Sequence, residues 1–263
     1  MEYKKIKAVF LDVDGTLLSF RTHRVPGSAV EALDRIHRSG VKVIIATGRT
    51  FTDLKEISGV PYDAVVSLNG AECVLRDGTP VSMSRIPESD FLKALELTEK
   101  YGFPMGLETP RGVKVNRIDD TVTQLAELVA HPLPEIVDLV GEFRAAPCCQ
   151  LCFYCDEELE KKVLSRIPGL SSARWYPTYA DINVTGVDKG RGIAEFAEYF
   201  GFTVYETMAF GDGGNDIPML KSAGIGIAMG SASEEVRSAA DYVTDTVDDD
   251  GVANALRHFG LIS

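Results

Sequence analysis

The stretch Lys7-Ala8-Val9-Phe10-Leu11-Asp12-Val13-Asp14-Gly15-Thr16-Leu17 decides the fold. An apolar run of strand length ends in two carboxylates, a glycine and a hydroxyl. Near-continuous hydrophobicity marks a strand buried on both faces, as in a parallel sheet. Ligands of open α/β sheets gather just beyond the carboxyl ends of strands, where Asp12 and Asp14 stand. Their spacing lets both side chains approach one small volume while the backbone turns through Gly15. Two neighbouring carboxylates repel, so a cation or a shared proton must compensate. A hard divalent ion such as Mg²⁺ prefers oxygens of this kind.

Outward from this strand the pattern alternates. A helix follows Pro26-Gly27-Ser28, with Ser28 and Glu31 as a capping box and Val30, Leu33 and Ile36 as an apolar stripe. Val41–Ala46 reads as a second buried strand ending in Thr47-Gly48-Arg49, a helix is expected from Thr52, and Asp63–Leu68 is a third strand ending in Asn69-Gly70. Strand, helix, strand, helix, strand implies a parallel sheet with right-handed crossovers. A hairpin over 72–81 then breaks the rhythm, and residues 83–187 continue with short-strand patterns and with helices opening at Pro87-Glu88 and ending near Gly102, and over 122–130, 134–140 and 156–167. From Lys189 the alternation returns: a helix over 190–200, a strand ending in Gly211-Asp212-Gly213-Gly214-Asn215-Asp216, a strand at 225–229, and helices over 231–240 and 252–259. The expectation is an α/β fold: a discontinuous Rossmann-like core (1–82 and 188–263) with helices on both faces, carrying an inserted α+β domain (83–187).

Composition narrows the function. The 263 residues carry a net charge of −12, with a sequence pI near 4.8. This disfavours nucleic acid or an anionic membrane as partner and leaves a small anionic substrate open, because a local cation can reverse the field. No apolar run is long enough to span a bilayer, and no signal region precedes the first strand. Five cysteines, an odd number, fit a reducing compartment; a cytoplasmic location is expected.

Polar groups end four strands: Asp12/Asp14, Thr47, Asn69, and Asp212/Asn215/Asp216. In a parallel sheet these ends share one edge, and the constellation suits phosphoryl transfer. An aspartate can attack phosphorus, a metal can neutralise the charge that would repel the attack, and Thr47 with backbone N–H groups can hold phosphate oxygens. Lys189 can pair with nucleophile and phosphate. A second acid must protonate the leaving oxygen and then activate water. Arg49 suits either substrate contact or pairing with an acid, and Asn69-Gly70 either the site or a tight turn.

Asp12-Val13-Asp14-Gly15-Thr16, Thr47-Gly48-Arg49, Lys189 and Gly211–Asp216 resemble, in order, the four motifs of the haloacid dehalogenase (HAD) superfamily. The insert resembles its type IIB (C2B, Cof-like) cap. The resemblance implies Asp12 as nucleophile and Asp14 as general acid/base. It implies Mg²⁺ on the carboxylates of Asp12 and Asp212 and the main-chain carbonyl of Asp14. Phosphate would be bound by Thr47, Gly48, Lys189 and Asn215, with Asp216 behind the metal ligands. Asp14 argues against dehalogenation, since the dehalogenases lack an acid there. The activity implied is hydrolysis of a small phosphorylated metabolite, a sugar phosphate above all, with the insert closing over the leaving group.

A sugar phosphomutase and a non-catalytic phosphometabolite-binding regulator are the alternatives; product analysis separates the first, and the presence of Asp14 speaks against the second. Gly224-Ile225-Gly226 with Gly230 lacks dinucleotide-fingerprint spacing. Cys148, Cys149, Cys152 and Cys155 fall on an expected strand whose alternate residues face opposite ways, which suits buried thiols better than zinc. The four histidines are scattered and unsupported. Glu108, Arg111, Lys114, Arg117, Trp175 and Tyr179 are the insert's candidates for reading the substrate. Oligomeric state is not encoded in any pattern of the sequence.

Overall fold

A computed structural model of the chain describes residues 5–129 and 131–263. They divide into two compact units, one made of the residues up to Ser82 with Asp188–Ser263, the other of Met83–Val187.

The first unit opens with β1 (Ala8–Leu11), α1 (Gly27–Arg38), β2 (Lys42–Ala46), β3 (Ala64–Ser67), β4 (Glu72–Leu75) and β5 (Pro80–Met83). The second contains α2 (Glu88–Tyr101), β6 (Met105–Leu107), β7 (Lys114–Val115), α3 (Asp120–Leu128), β8 (Glu135–Ile136), α4 (Leu139–Ala145), β9 (Leu151–Phe153), α5 (Glu157–Leu164), β10 (Leu170–Tyr176) and β11 (Tyr179–Val184). The first unit resumes with α6 (Lys189–Phe200), β12 (Thr207–Gly211), α7 (Ile217–Ser222), β13 (Ile225–Ala228), α8 (Glu234–Ser238), β14 (Tyr242–Val243) and α9 (Gly251–His258).

The first unit's sheet has the order β14-β13-β12-β1-β2-β3-β4-β5. Strands β14 through β3 pair in parallel, and β4 is antiparallel to β3. Alternation along the strands sorts the core into two layers. Val9, Leu11, Val43, Ile45 and Phe210 pack with α1 and α9 on one face; Phe10, Ile44, Val66 and Ala209 pack with α6 and α7 on the other. Every residue of β1 is buried, which is why its sequence carries no polar alternation. The chain leaves β1 toward β2 and β3 on one side and returns through β12 and β13 on the other. The strand order therefore reverses beside β1, and the carboxyl ends of β1 and β12 at such a reversal are where open α/β sheets bind ligands.

The second unit is α+β. Its sheet runs β10-β11-β9-β6-β7-β8, antiparallel except for β7 with β8. Phe91, Ala94, Leu97 and Val163 of α2 and α5 cover Met105, Leu107, Leu151, Phe153 and Ile182, while Val122 and Leu125 of α3 meet Cys152, Tyr154 and Tyr179.

Several local expectations change. The helix expected from Thr52 is a single 3₁₀ turn, Lys55–Ile57; Gly59 and Pro61 leave no room for a second turn. Residues 134–140 are not a helix. Pro132 and Pro134 disfavour helical backbone before them, so Glu135–Ile136 pairs as a short strand, and Asp138 then caps α4 by accepting from the Val140 N–H at 3.1 Å. The 122–130 helix begins earlier, at Asp120, and Ala130 lies outside the described residues. Ser28 makes no capping box: Pro26 occupies the N-cap, and the Ser28 hydroxyl donates to Asp250. The 231–240 helix shrinks to Glu234–Ser238 behind Ser233.

Candidate active site

Asp12 sits one residue past β1, where its N–H still donates to the Phe210 carbonyl of β12 at 3.0 Å. The chain then turns tightly. Leu17 and Leu18 donate to the Val13 carbonyl at 3.0 and 2.7 Å, and Gly15 donates to the Leu18 carbonyl at 2.9 Å. Gly15 has φ +86, and a Cβ there would lie 2.3 Å from Asp212 Oδ2. Only glycine lets this turn pass so close to that carboxylate. The Thr16 hydroxyl donates to the other Asp212 oxygen at 3.1 Å.

Lys189 opens α6, and its ammonium is completely buried. It donates to Asp12 Oδ1 and to Asp216 Oδ1, each at 2.6 Å. The second oxygen of Asp216 accepts the N–H groups of Asp212 (3.0 Å) and Gly213 (2.9 Å). Asp216 thereby shapes the glycine-rich loop and anchors the lysine. Carboxylate oxygens of Asp12, Asp212 and Asp216 lie within 4.8 Å of one another.

Burial pushes the Asp12 carboxyl well above its usual range, and Asp216 and Asp212 add to the shift against the pull of Lys189. Burial and Asp216 raise Asp212 to about 7. Burial alone would lower Lys189, but Asp12 and Asp216 outweigh it, so the lysine stays charged. With all three carboxylates ionised, the single ammonium leaves two negative charges uncompensated, the charge of one divalent cation. The oxygen-only donor set and its spacing fit such a hard ion.

The remaining residues form two further pairs. Arg49 Nε and an Arg49 terminal nitrogen donate to the two oxygens of Asp14 at 2.9 and 2.6 Å, and Arg49 also reaches Glu56 at 3.2 Å. The Asp14 carboxylate therefore lies on Arg49, outside the Asp12–Asp212–Asp216 group. Thr47 is buried, and its hydroxyl accepts the Arg49 N–H at 3.1 Å with Gly48 between them. Asn69, at φ +54, accepts from the Asn215 side-chain amide at 3.0 Å, which joins the loops after β3 and β12. Among the insert's candidates, Tyr179 is buried and donates to Asp181 at 2.9 Å, Lys114 pairs with Glu135, and Trp175 is about half exposed. All five cysteines are free and buried.

Residues 9–256 match the family model of the haloacid dehalogenase-like hydrolases. The chain belongs to that family. Among solved structures, BT1666, described as a HAD-superfamily phosphatase of Bacteroides thetaiotaomicron, is 56% identical with TM-score 0.96, over 98% of this chain and 96% of that one. The HAD subclass IIB sugar phosphatase BT4131 is 39% identical with TM-score 0.87, over 97% and 100%. The 5-amino-6-(5-phospho-D-ribitylamino)uracil phosphatase YcsE of Bacillus subtilis is 31% identical over 97% of this chain and 96% of its own length.

The arrangement of this HAD-like chain offers a buried carboxylate beside a fixed cation, a second carboxylate held by Arg49 two residues further on, and hydroxyl and amide donors at neighbouring strand ends. Two contacts exceed what the spacing alone suggested. Thr16 holds Asp212; the hydroxyl directly after Gly15 was its signal. Glu56, paired with Arg49, had no signal, because it sits on a surface turn seven residues away.

Proposed function

We propose that this HAD-family phosphatase hydrolyses a small phosphorylated metabolite, a sugar phosphate, through an aspartyl-phosphate on Asp12 with Mg²⁺ as its cation. The observation that carries the reading is Lys189, which bridges Asp12 and Asp216 from a separate segment of the chain inside the carboxylate cluster.

Lys189 holds one Asp12 oxygen and so orients the carboxylate against its tendency to protonate. The Asp12 oxygen attacks phosphorus, the bond to the leaving oxygen breaks, and Asp14 gives that oxygen a proton. Asp14 then takes a proton from water, whose oxygen attacks phosphorus, so that inorganic phosphate leaves and the Asp12 carboxylate is restored. For these steps Asp14 must exchange its Arg49 contacts for the leaving oxygen. Thr47, Gly48 and Asn215 bind the phosphate oxygens, and Asn69 positions Asn215. The Asp12 and Asp212 carboxylates and the Asp14 main-chain carbonyl would hold Mg²⁺, which would supply positive charge against the phosphate. Asp216, whose oxygens already accept Lys189 and two N–H groups, stands behind it. A sugar phosphate substrate is supported by BT4131, named a sugar phosphatase. Among the described residues no helix is long and apolar enough to cross a membrane, and the free thiols favour the cytoplasm.

The test is release of inorganic phosphate from an aryl phosphate and a panel of sugar phosphates, with and without Mg²⁺. Chelation is expected to abolish it, and Asp12→Asn to lose at least a thousandfold. Undiminished release by Asp12→Asn removes Asp12 from its role; an isomerised phosphosugar in place of free phosphate makes the protein a mutase.

A further inference from the structure

Phe20 is a large apolar side chain left 67% exposed. Single exposed aromatics are common on protein surfaces, but this one is held in place. Ser19, itself buried, accepts the N–H groups of Arg21 and Thr22, each at 3.1 Å, and donates to Asp248 at 2.8 Å. Arg21 pairs with the same Asp248 at 3.1 Å. The His23 N–H donates to the Ser19 carbonyl at 2.9 Å, and Ser19 donates back to Arg24 at 3.2 Å. His23 closes the turn at φ +52, a conformation that few side chains adopt. The turn that carries the ring is tied at its base by these contacts.

What the ring stands beside gives it a use. A Cβ on Gly15 would lie 2.8 Å from Phe20 Cε2 and 2.3 Å from Asp212 Oδ2. The ring edge and the Asp212 carboxylate thus flank the same glycine, the residue that follows Asp14. In the function proposed above, on which this inference rests, Asp14 protonates the leaving oxygen. The ring edge stands against the residue that follows Asp14, on the side of the site from which that proton would be given.

We infer that Phe20 is the platform for the leaving group, and that the leaving group is a six-membered sugar ring laying its C–H face on the aromatic face. A pyranose has such a face, while its hydroxyls point sideways toward water and polar side chains. Binding sites of this kind pair an aromatic surface with a few placed polar groups. An open-chain polyol phosphate has no rigid apolar face to offer, so the ring makes the site selective for cyclic esters over linear ones.

The experiment compares the wild type with Phe20→Ala, Phe20→Leu and Phe20→Trp. Substrates are a hexopyranose 6-phosphate, glycerol phosphate and adenosine 5′-monophosphate. Phe20→Ala is expected to lower kcat/KM for the pyranose ester about tenfold more than for glycerol phosphate, chiefly through KM. Phe20→Trp should keep the preference and Phe20→Leu should lose part of it. Calorimetric binding of the pyranose ester to Asp12→Asn, with and without Phe20→Ala, reads the ring's role without turnover and should show the same ratio. Equal losses on all three esters, or no preference in the wild type, overturn the inference and leave the phosphatase reading standing. A selective loss on the nucleotide alone also overturns it, in favour of a stacked base. Full turnover by Asp12→Asn instead removes the reading beneath it.

Discussion

Lys189 is the residue where charge and burial compete most directly. A fully buried ammonium persists because two carboxylates each accept from it at 2.6 Å. Removing one partner of a buried ion pair leaves the other charge uncompensated, at a cost of about 3–5 kcal/mol. Lys189→Met is therefore expected to destabilise the first unit by that order, and to lower kcat by at least a thousandfold on a phosphate ester. Urea unfolding and steady-state kinetics measure the two effects; a Lys189→Met enzyme of wild-type kcat would sever the lysine from the chemistry. Gly15 makes a sharper geometric case. Alanine there combines an unfavourable φ with a Cβ 2.3 Å from Asp212 Oδ2. Gly15→Ala should weaken Mg²⁺ affinity about tenfold or more, through displacement of Asp212, before it changes the pH dependence of catalysis. Isothermal titration with Mg²⁺ reads it, and an unchanged affinity would show that the turn relaxes without moving the carboxylate.

At the scale of elements, the long periodic ones were legible and the short ones were not. The strands β1, β2, β3 and β12 announced themselves as short apolar runs ending in polar groups, because each is buried on both faces. The convergence of their ends was legible for the same reason, since parallel pairing delivers Asp12, Thr47, Asn69 and Asp212 to one edge. The Thr52 and Pro134 segments misled because a few apolar residues at helical spacing do not outweigh nearby Gly59, Pro61, Pro132 and Pro134. The side-chain partners of Asp14 were illegible, because a carboxylate next to a glycine turn can aim either at the Asp12–Asp212–Asp216 cluster or at Arg49, and only the fold of the Thr47–Arg49 loop decides. Capping in the insert can be tested on α3. The Asp119 side chain accepts the Thr121 and Val122 N–H groups at 2.9 and 3.2 Å. Asp119→Ala should cost about 1 kcal/mol, seen as a lower denaturation midpoint for the insert, and Asp119→Asn should restore most of it; equal midpoints for Ala and Asn would mean the cap contributes nothing.

Across the whole molecule, a net charge of −12 surrounds a carboxylate cluster that is itself under-compensated. The consequence is a stability that depends on pH and on the cation together. Asp212 titrates near 7 in the folded protein because of burial and Asp216, against an ordinary value of 3.8, and Asp12 is raised in the same direction. Between those two values the folded state holds more protons than the unfolded one, so stability must fall as pH rises through the window. Below it both states are protonated and the dependence vanishes; above it the full repulsion is present. Metal-free protein is thus expected to melt several degrees lower at about pH 8 than at about pH 5. Excess Mg²⁺ should restore the melting temperature at the higher pH, because an ion that binds only the folded state stabilises it by mass action. Asp212→Asn should flatten the metal-free profile and remove most of the response to Mg²⁺. Scanning calorimetry at four pH values, with chelator or with Mg²⁺, makes the comparison. A metal-free protein whose melting temperature rises from pH 5 to pH 8 would place the controlling charges elsewhere than in the Asp12–Asp212–Asp216 cluster.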